Sequence, residues 1–154
     1  MAKKPTKSPT TRKPPRIAVV CSTYNATVTD ALRHGAVHEC EARTGETPAV
    51  FDASGAYELP ALCMAAASSG RFEGIIALGC IIKGETSHDQ YLAHAVADGL
   101  VNITIITGVP IAFGVLTTNN NAQALARAGG KKGNKGAEAA SALFATLATT
   151  VSYT

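Results

Sequence analysis

Two patterns of apolar residues alternate along the chain. Continuous apolar runs, rich in Ile, Val, Leu and Phe, fall at residues 16–21, 48–52, 75–80 and 111–116. Such runs predict strands of a parallel sheet covered on both faces. Between them the apolar positions recur every three or four residues. Val28, Ala31, Leu32, Ala36 and Cys40 predict a helix over 26–43. Leu59, Leu62, Cys63 and Ala66 predict a second, ending at Gly70. Pro60 suits its first turn, where the missing N–H would have had no helical partner. Residues 87–107 carry conflicting signals. Val101, Ile103, Thr104, Ile105 and Ile106 are β-branched and favour a strand. Leu92, Val96, Leu100, Ile103 and Ile106 instead step by four or three, which predicts a helix. A short helix through Ala122, Leu125 and Ala126 ends at Gly129 and Gly130. A loop of glycines and lysines over 129–136 then leads to an Ala-rich helix reaching about residue 148.

Four strand–helix units and one extra helix predict an α/β fold: a three-layer sandwich with a four-stranded parallel sheet flanked by helices. In such folds ligands bind beyond the carboxyl ends of the strands. Unusual residues gather in the corresponding segments: Tyr24 after the first strand, Gly55 to Glu58 after the second, Lys83 to His88 after the third, and Phe113 and Gly114 in the fourth. Thr86 or Ser87 is expected to cap the helix that follows, since a short hydroxyl accepts the unpaired N–H groups of a first turn. His88 then lies beside amides that favour anions. An imidazole titrates near neutral pH and suits proton transfer.

Composition narrows the class. With 154 residues, 46% of them hydrophobic, the chain suits one domain over residues 16–154. Residues 1–15 are basic, Pro-rich and almost free of apolar side chains, and read as a disordered tail. Much of the formal charge of +3 lies in that tail, so the folded part is not basic and a nucleic-acid role is not expected. No membrane span or signal peptide is legible, and a soluble cytoplasmic protein is expected. Cys21, Cys40, Cys63 and Cys80 are scattered without a C-x-x-C pair and read as reduced, buried thiols. His34 and His38, four apart, share a helix face but have no further ligands in view, so no metal is expected. The 129–136 loop offers no register of the G-x-x-x-x-G-K-[ST] phosphate loop. Arg127 before it is a candidate anion ligand, through forked guanidinium bonds, or simply a surface arginine on a helix. Glu58 either favours the helix dipole near which it sits or accepts bonds from a hydroxylated ligand. Tyr24 and Tyr57 either pack ordinarily or stack on a planar one.

Residues 54–60, 78–88, 113–118, 123–129 and 133–136, taken in order and spacing, resemble the 6,7-dimethyl-8-ribityllumazine synthase family, and the likeness extends from residue 16 to about 148. The resemblance implies condensation of 5-amino-6-(D-ribitylamino)uracil with 3,4-dihydroxy-2-butanone 4-phosphate through a Schiff base, with loss of phosphate and no metal or redox cofactor. It implies that Tyr24 stacks on the pyrimidine and that Ala56, Tyr57 and Glu58 hold the ribityl chain and ring. Cys80, Ile81 and Ile82 would contact the heterocycle through their backbone. Glu85, Thr86 and Arg127 would bind phosphate, and His88 would transfer protons. Phe113 would reach into an adjacent subunit's site, and Lys135 would lie near pyrimidine and phosphate. Ala53-Ser54 departs from the frequent Val-Pro, Tyr24 and Tyr57 from phenylalanine, and Asp89 from a common aromatic, placing a carboxylate where it can tune His88.

The resemblance further implies homo-oligomers: pentamers, and with the short 129–136 loop, hollow icosahedral shells of sixty subunits, with riboflavin synthase as a candidate guest. Two other readings stay open on the residues alone. One is a flavodoxin-like protein binding a flavin nucleotide through Ser22, Thr23 and Thr27. The other is a catalytically silent shell protein.

Overall fold

The computed structural model describes residues 12–153, so most of the basic tail expected at 1–15 lies outside the described residues. Four strands, β1 (Ile17–Ser22), β2 (Ala49–Ala53), β3 (Gly74–Ile82) and β4 (Ile111–Thr118), form one sheet in the order β2-β1-β3-β4. All three pairings are parallel. The helices are α1 (Ala26–Thr44), α2 (Leu59–Ser68), α3 (His88–Thr107), α4 (Asn121–Arg127) and α5 (Lys135–Val151).

Alternate residues of each strand feed two cores. Val19, Cys21, Ile76 and Leu78 pack under α1 and α5 with Leu32, Ala36 and Leu143. Val20, Ile75, Ala77 and Ile81 pack under α2 and α3 with Leu59, Cys63, Val96 and Leu100. Strand β3 is buried along almost its whole length. Each large side chain fully buried there contributes roughly 1.5–3 kcal/mol. This double covering explains why the strands read as continuous apolar runs.

Several expectations need correction. Strand β3 continues two residues past the expected end at Cys80, so Ile81 and Ile82 also belong to the sheet, not to a loop. Cys80 to Ile82 pair with Leu116 to Thr118 of β4, and that pairing extends the strand. Phe113 sits in mid-strand opposite Ala77, not at a carboxyl end. The 129–136 segment is not an open loop. It holds a small antiparallel hairpin, β5 (Ala128–Gly130) with β6 (Gly133–Asn134), and α5 already begins at Lys135. Residues 88–107 are helical, as the spacing predicts. Burial of Val96, Leu100 and Ile103 on one face outweighs the strand propensity of their β-branched neighbours.

Asparagines close the helices near the hairpin. Asn120 Oδ1 accepts from Gln123 N at 2.9 Å and starts α4. Asn134 Oδ1 accepts from Gly136 N at 2.9 Å and Ala137 N at 3.1 Å, and its Nδ2 donates to Ala31 O of α1 at 2.9 Å. The contact between α1 and α5 leaves no room for a side chain at position 136, where a Cβ would overlap the Leu32 carbonyl.

Candidate active site

The carboxyl ends of the strands are tied to one another. Ser22 Oγ accepts from Tyr24 N at 3.2 Å, which folds the turn after β1. Thr23 N and Oγ1 both donate to Ala53 O, at 2.7 and 3.2 Å, fixing that turn to the end of β2. Asn25 Nδ2 donates to Cys80 O at 2.9 Å, fixing it to β3. Lys83 N donates to Thr118 O at 2.8 Å and joins the ends of β3 and β4. Asn25 has φ 58°, in the left-handed region, where asparagine is among the residues best tolerated. Its helix-starting position and its bond to Cys80 together hold Tyr24 at the rim.

This rim opens into a cavity of about 480 Å³ lined by Tyr24, Asn25, Ala56, Cys80, Ile81, Ile82, Gly84, Thr86, His88, Asp89 and Leu92. Its floor is the end of β3, and one wall is the first turn of α3. That helix is capped loosely. Ser87 occupies the capping position without a side-chain bond, contrary to one of the two caps expected, and only Thr86 Oγ1 accepts from His88 N, at 3.4 Å. An end so weakly satisfied keeps its affinity for an anion. His88 is exposed on this turn. Asp89 is 8% exposed; its Oδ1 has no hydrogen-bond partner, and no bond joins it to His88.

Of the residues singled out in the sequence, Tyr24, Ala56, Cys80, Ile81, Ile82, Thr86 and His88 line the cavity. Tyr57 and Glu58 do not. They lie on the 3-10 turn Ala56–Glu58 just outside, with Tyr57 70% exposed and the Glu58 carboxylate folded back against Gly55. Glu85 is exposed on the loop before α3. Phe113, Arg127 and Lys135 are also absent from the cavity. Phe113 is half exposed on the edge strand β4. The Arg127 Nη1 donates to Gln123 O at 3.0 Å, and Lys135 Nζ to Glu138 Oε2 at 2.6 Å.

Asn25, Gly84 and Leu92 are cavity residues the sequence reading passed over. Only Asn25 carried a legible signal, an asparagine between a strand and a helix, where its side chain replaces a missing backbone partner. The Cys80 thiol is no nucleophile, since burial pushes it up to about 11 and keeps it protonated at neutral pH. Among the described residues no group of three or more His, Cys, Asp or Glu side chains is gathered as a metal-ligand set. His34 and His38 are simply exposed on α1. No helix among the described residues is long and apolar enough to cross a membrane.

A doubly wound α/β fold with a cavity at its strand ends, a long helix aimed into it and a histidine on that helix's first turn defines a class: small-molecule sites that hold an anion and move protons. The particular family follows from comparison with known proteins. The sequence model of 6,7-dimethyl-8-ribityllumazine synthase matches residues 14–150. The chain is 43% identical to 6,7-dimethyl-8-ribityllumazine synthase 1 of Caulobacter vibrioides over 138 residues, 88% of this chain and 90% of the relative. It is 45% identical to the 6,7-dimethyl-8-ribityllumazine synthase of Edwardsiella ictaluri, over 81% of this chain and 82% of the relative. It is 41% identical to that of Deinococcus deserti, over 86% of each. The chain belongs to the 6,7-dimethyl-8-ribityllumazine synthase family.

Proposed function

We propose that this chain condenses 5-amino-6-(D-ribitylamino)uracil with 3,4-dihydroxy-2-butanone 4-phosphate to 6,7-dimethyl-8-ribityllumazine, a step of riboflavin biosynthesis. The observation that carries this reading is the convergence of Tyr24, Thr86 and His88 on one cavity at the strand ends, in a chain of this family. The ring of Tyr24, 69% exposed at the mouth, stacks on the planar pyrimidine. Ala56, Tyr57 and Glu58 hold ring and ribityl chain from the neighbouring turn. The backbone of Cys80, Ile81 and Ile82 lies against the heterocycle. The Cys80 carbonyl already accepts from Asn25, which limits what it offers a ligand.

The phosphate sits at the start of α3, over the amides of Glu85 and Thr86, where the helix end favours negative charge. Attack of the pyrimidine amine on the butanone carbonyl gives an imine with loss of water. Elimination then breaks the C–O bond to phosphate, with His88 relaying the proton that this requires, and attack of the ribityl-bearing amine on the carbonyl formed at the neighbouring carbon closes the ring with loss of a second water. The departing dianion is stabilised by the helix terminus and by Arg127.

Phe113, Arg127 and Lys135 come from an adjacent copy, a reading supported by their absence from the cavity of a single chain. The assembly is a pentamer, built further into an icosahedral shell. Exposed Val101, Ile105 and Ile106 on α3, and Phe113 on the edge strand, supply apolar surface for it.

The test is an absorbance assay of purified protein with both substrates, alongside sedimentation velocity. Lumazine formation with release of phosphate, well above the uncatalysed rate and confined to the oligomer, is the expected result. Oligomeric protein that gives no acceleration would overturn the reading.

A further inference from the structure

Position 55 carries a glycine that neither the backbone nor the packing demands. Its φ of −155° and ψ of 178° lie in the extended region open to any residue. Apart from its chain neighbours, a Cβ added there would meet one atom within 4 Å, the Glu58 Oε2 at 2.9 Å. The Glu58 carboxylate thus sits on the bare face of residue 55, in space that an alanine methyl would fill. No bond holds it there. Glu58 stands at the capping position of α2 without a side-chain cap bond, so it does not close that helix. Its carboxylate takes no part in the four ion pairs among the described residues and accepts no hydrogen bond from them.

We propose that Gly55 is a positioning residue: by lacking a side chain it seats the Glu58 carboxylate at the edge of the cavity, where it meets the ribitylamino-pyrimidine. The inference rests on the role proposed for Glu58 above and deepens it. Ala56, between the two residues, lines the cavity, so the seat adjoins the ligand's space. The carboxylate is exposed and all its acceptor sites are open, which suits a ligand rich in hydroxyl donors. A group held by shape alone moves when the shape changes. The atom facing position 55 is the tip of a flexible side chain, so an alanine there shifts the carboxylate and spares the fold.

The test is a double-mutant cycle of Gly55→Ala and Glu58→Ala in the full chain, read by calorimetric binding of 5-amino-6-(D-ribitylamino)uracil and by thermal midpoint. Glu58→Ala is expected to weaken binding about 10- to 100-fold, the worth of a hydrogen bond to a charged group. Gly55→Ala displaces the same carboxylate without removing it and is expected to weaken binding about 3- to 10-fold, a part of that loss. Added to Glu58→Ala, it changes binding by less than about twofold, because the group it acts through has gone. The midpoint of Gly55→Ala stays level or rises, since alanine restricts the unfolded chain at a position whose backbone it can adopt. Gly55→Ala that binds as tightly as wild type, or more tightly, would overturn the proposal. So would a loss that persists without Glu58, which would set the glycine against the ligand itself. A lowered midpoint would also overturn it, by making Gly55 a residue of the fold. Glu58→Ala that binds as wild type sinks the role proposed for Glu58 and this inference with it. A loss in Glu58→Ala with none in Gly55→Ala sinks this inference alone.

Discussion

Asn134 joins three elements with one side chain, and removing it has a calculable cost. Its Oδ1 caps α5 through two amides, and its Nδ2 reaches the Ala31 carbonyl 103 positions earlier in the chain. Replacing an asparagine cap by alanine costs about 1 kcal/mol, within a range of about 0.5–2. Losing the hydrogen bond to Ala31 adds about 0.5–1.5 kcal/mol. Asn134→Ala should therefore destabilise the protein by about 2 kcal/mol. Asn134→Asp separates the two contributions. It keeps the capping oxygen and favours the helix dipole, but it sets a carboxylate where an amide donated to a carbonyl, so about 1 kcal/mol is lost. With a urea dependence of about 2 kcal/mol per molar, the alanine midpoint should fall by about 1 M. The measurement is urea unfolding followed by far-ultraviolet circular dichroism, at one fixed protein concentration because subunit association adds to apparent stability. An alanine variant within about 0.5 kcal/mol of wild type, or an aspartate variant as weak as alanine, would refute the assignment of two separable bonds.

Other predictions concern the site and the thiols. His88→Ala should lower kcat at least about 100-fold with little change in thermal midpoint, since the side chain is exposed and proton transfer is the role proposed for it; steady-state kinetics beside a melting curve checks both. Asn25→Ala loses the bond to Cys80 and a residue suited to the left-handed backbone. It should cost about 1–3 kcal/mol and raise KM for the pyrimidine as Tyr24 loosens; an unaltered KM would count against Asn25 as the support of that ring. Burial raises the thiols, Cys40 and Cys80 to about 11 and Cys63 to about 12. The unfolded chain releases these protons near pH 8.5 and the folded chain does not. The stability they contribute is thus complete below that pH and declines as pH rises toward 11–12. Chemical denaturation between pH 8 and 11 should show the decline, and replacing Cys63 by alanine should reduce it.

The sequence alone determined the order of strands and helices, because a strand covered on both faces must be apolar throughout and a half-covered helix must repeat every three or four residues. Val96, Leu100 and Ile103 held that period strongly enough to overrule the β-branched side chains among them. The histidine and hydroxyls after the third strand were legible for the same reason: they interrupt an apolar pattern at the end where α/β sheets bind ligands.

Only the tertiary structure decided what pairing and long-range contact control. Strand β3 runs on to Ile82 because β4 is there to pair with it, which adds two candidate site residues, Ile81 and Ile82, to the sheet. The β3–β4 register sets Phe113 opposite Ala77. The glycine–lysine segment folds into a hairpin held by Asn134 against α1, a contact across 103 positions that no local pattern announces. The unpaired state of Asp89 likewise has no sequence signature, since an aspartate on a first helical turn is usually solvated. Its burial depends on the walls that the ends of β3 and α3 build around it.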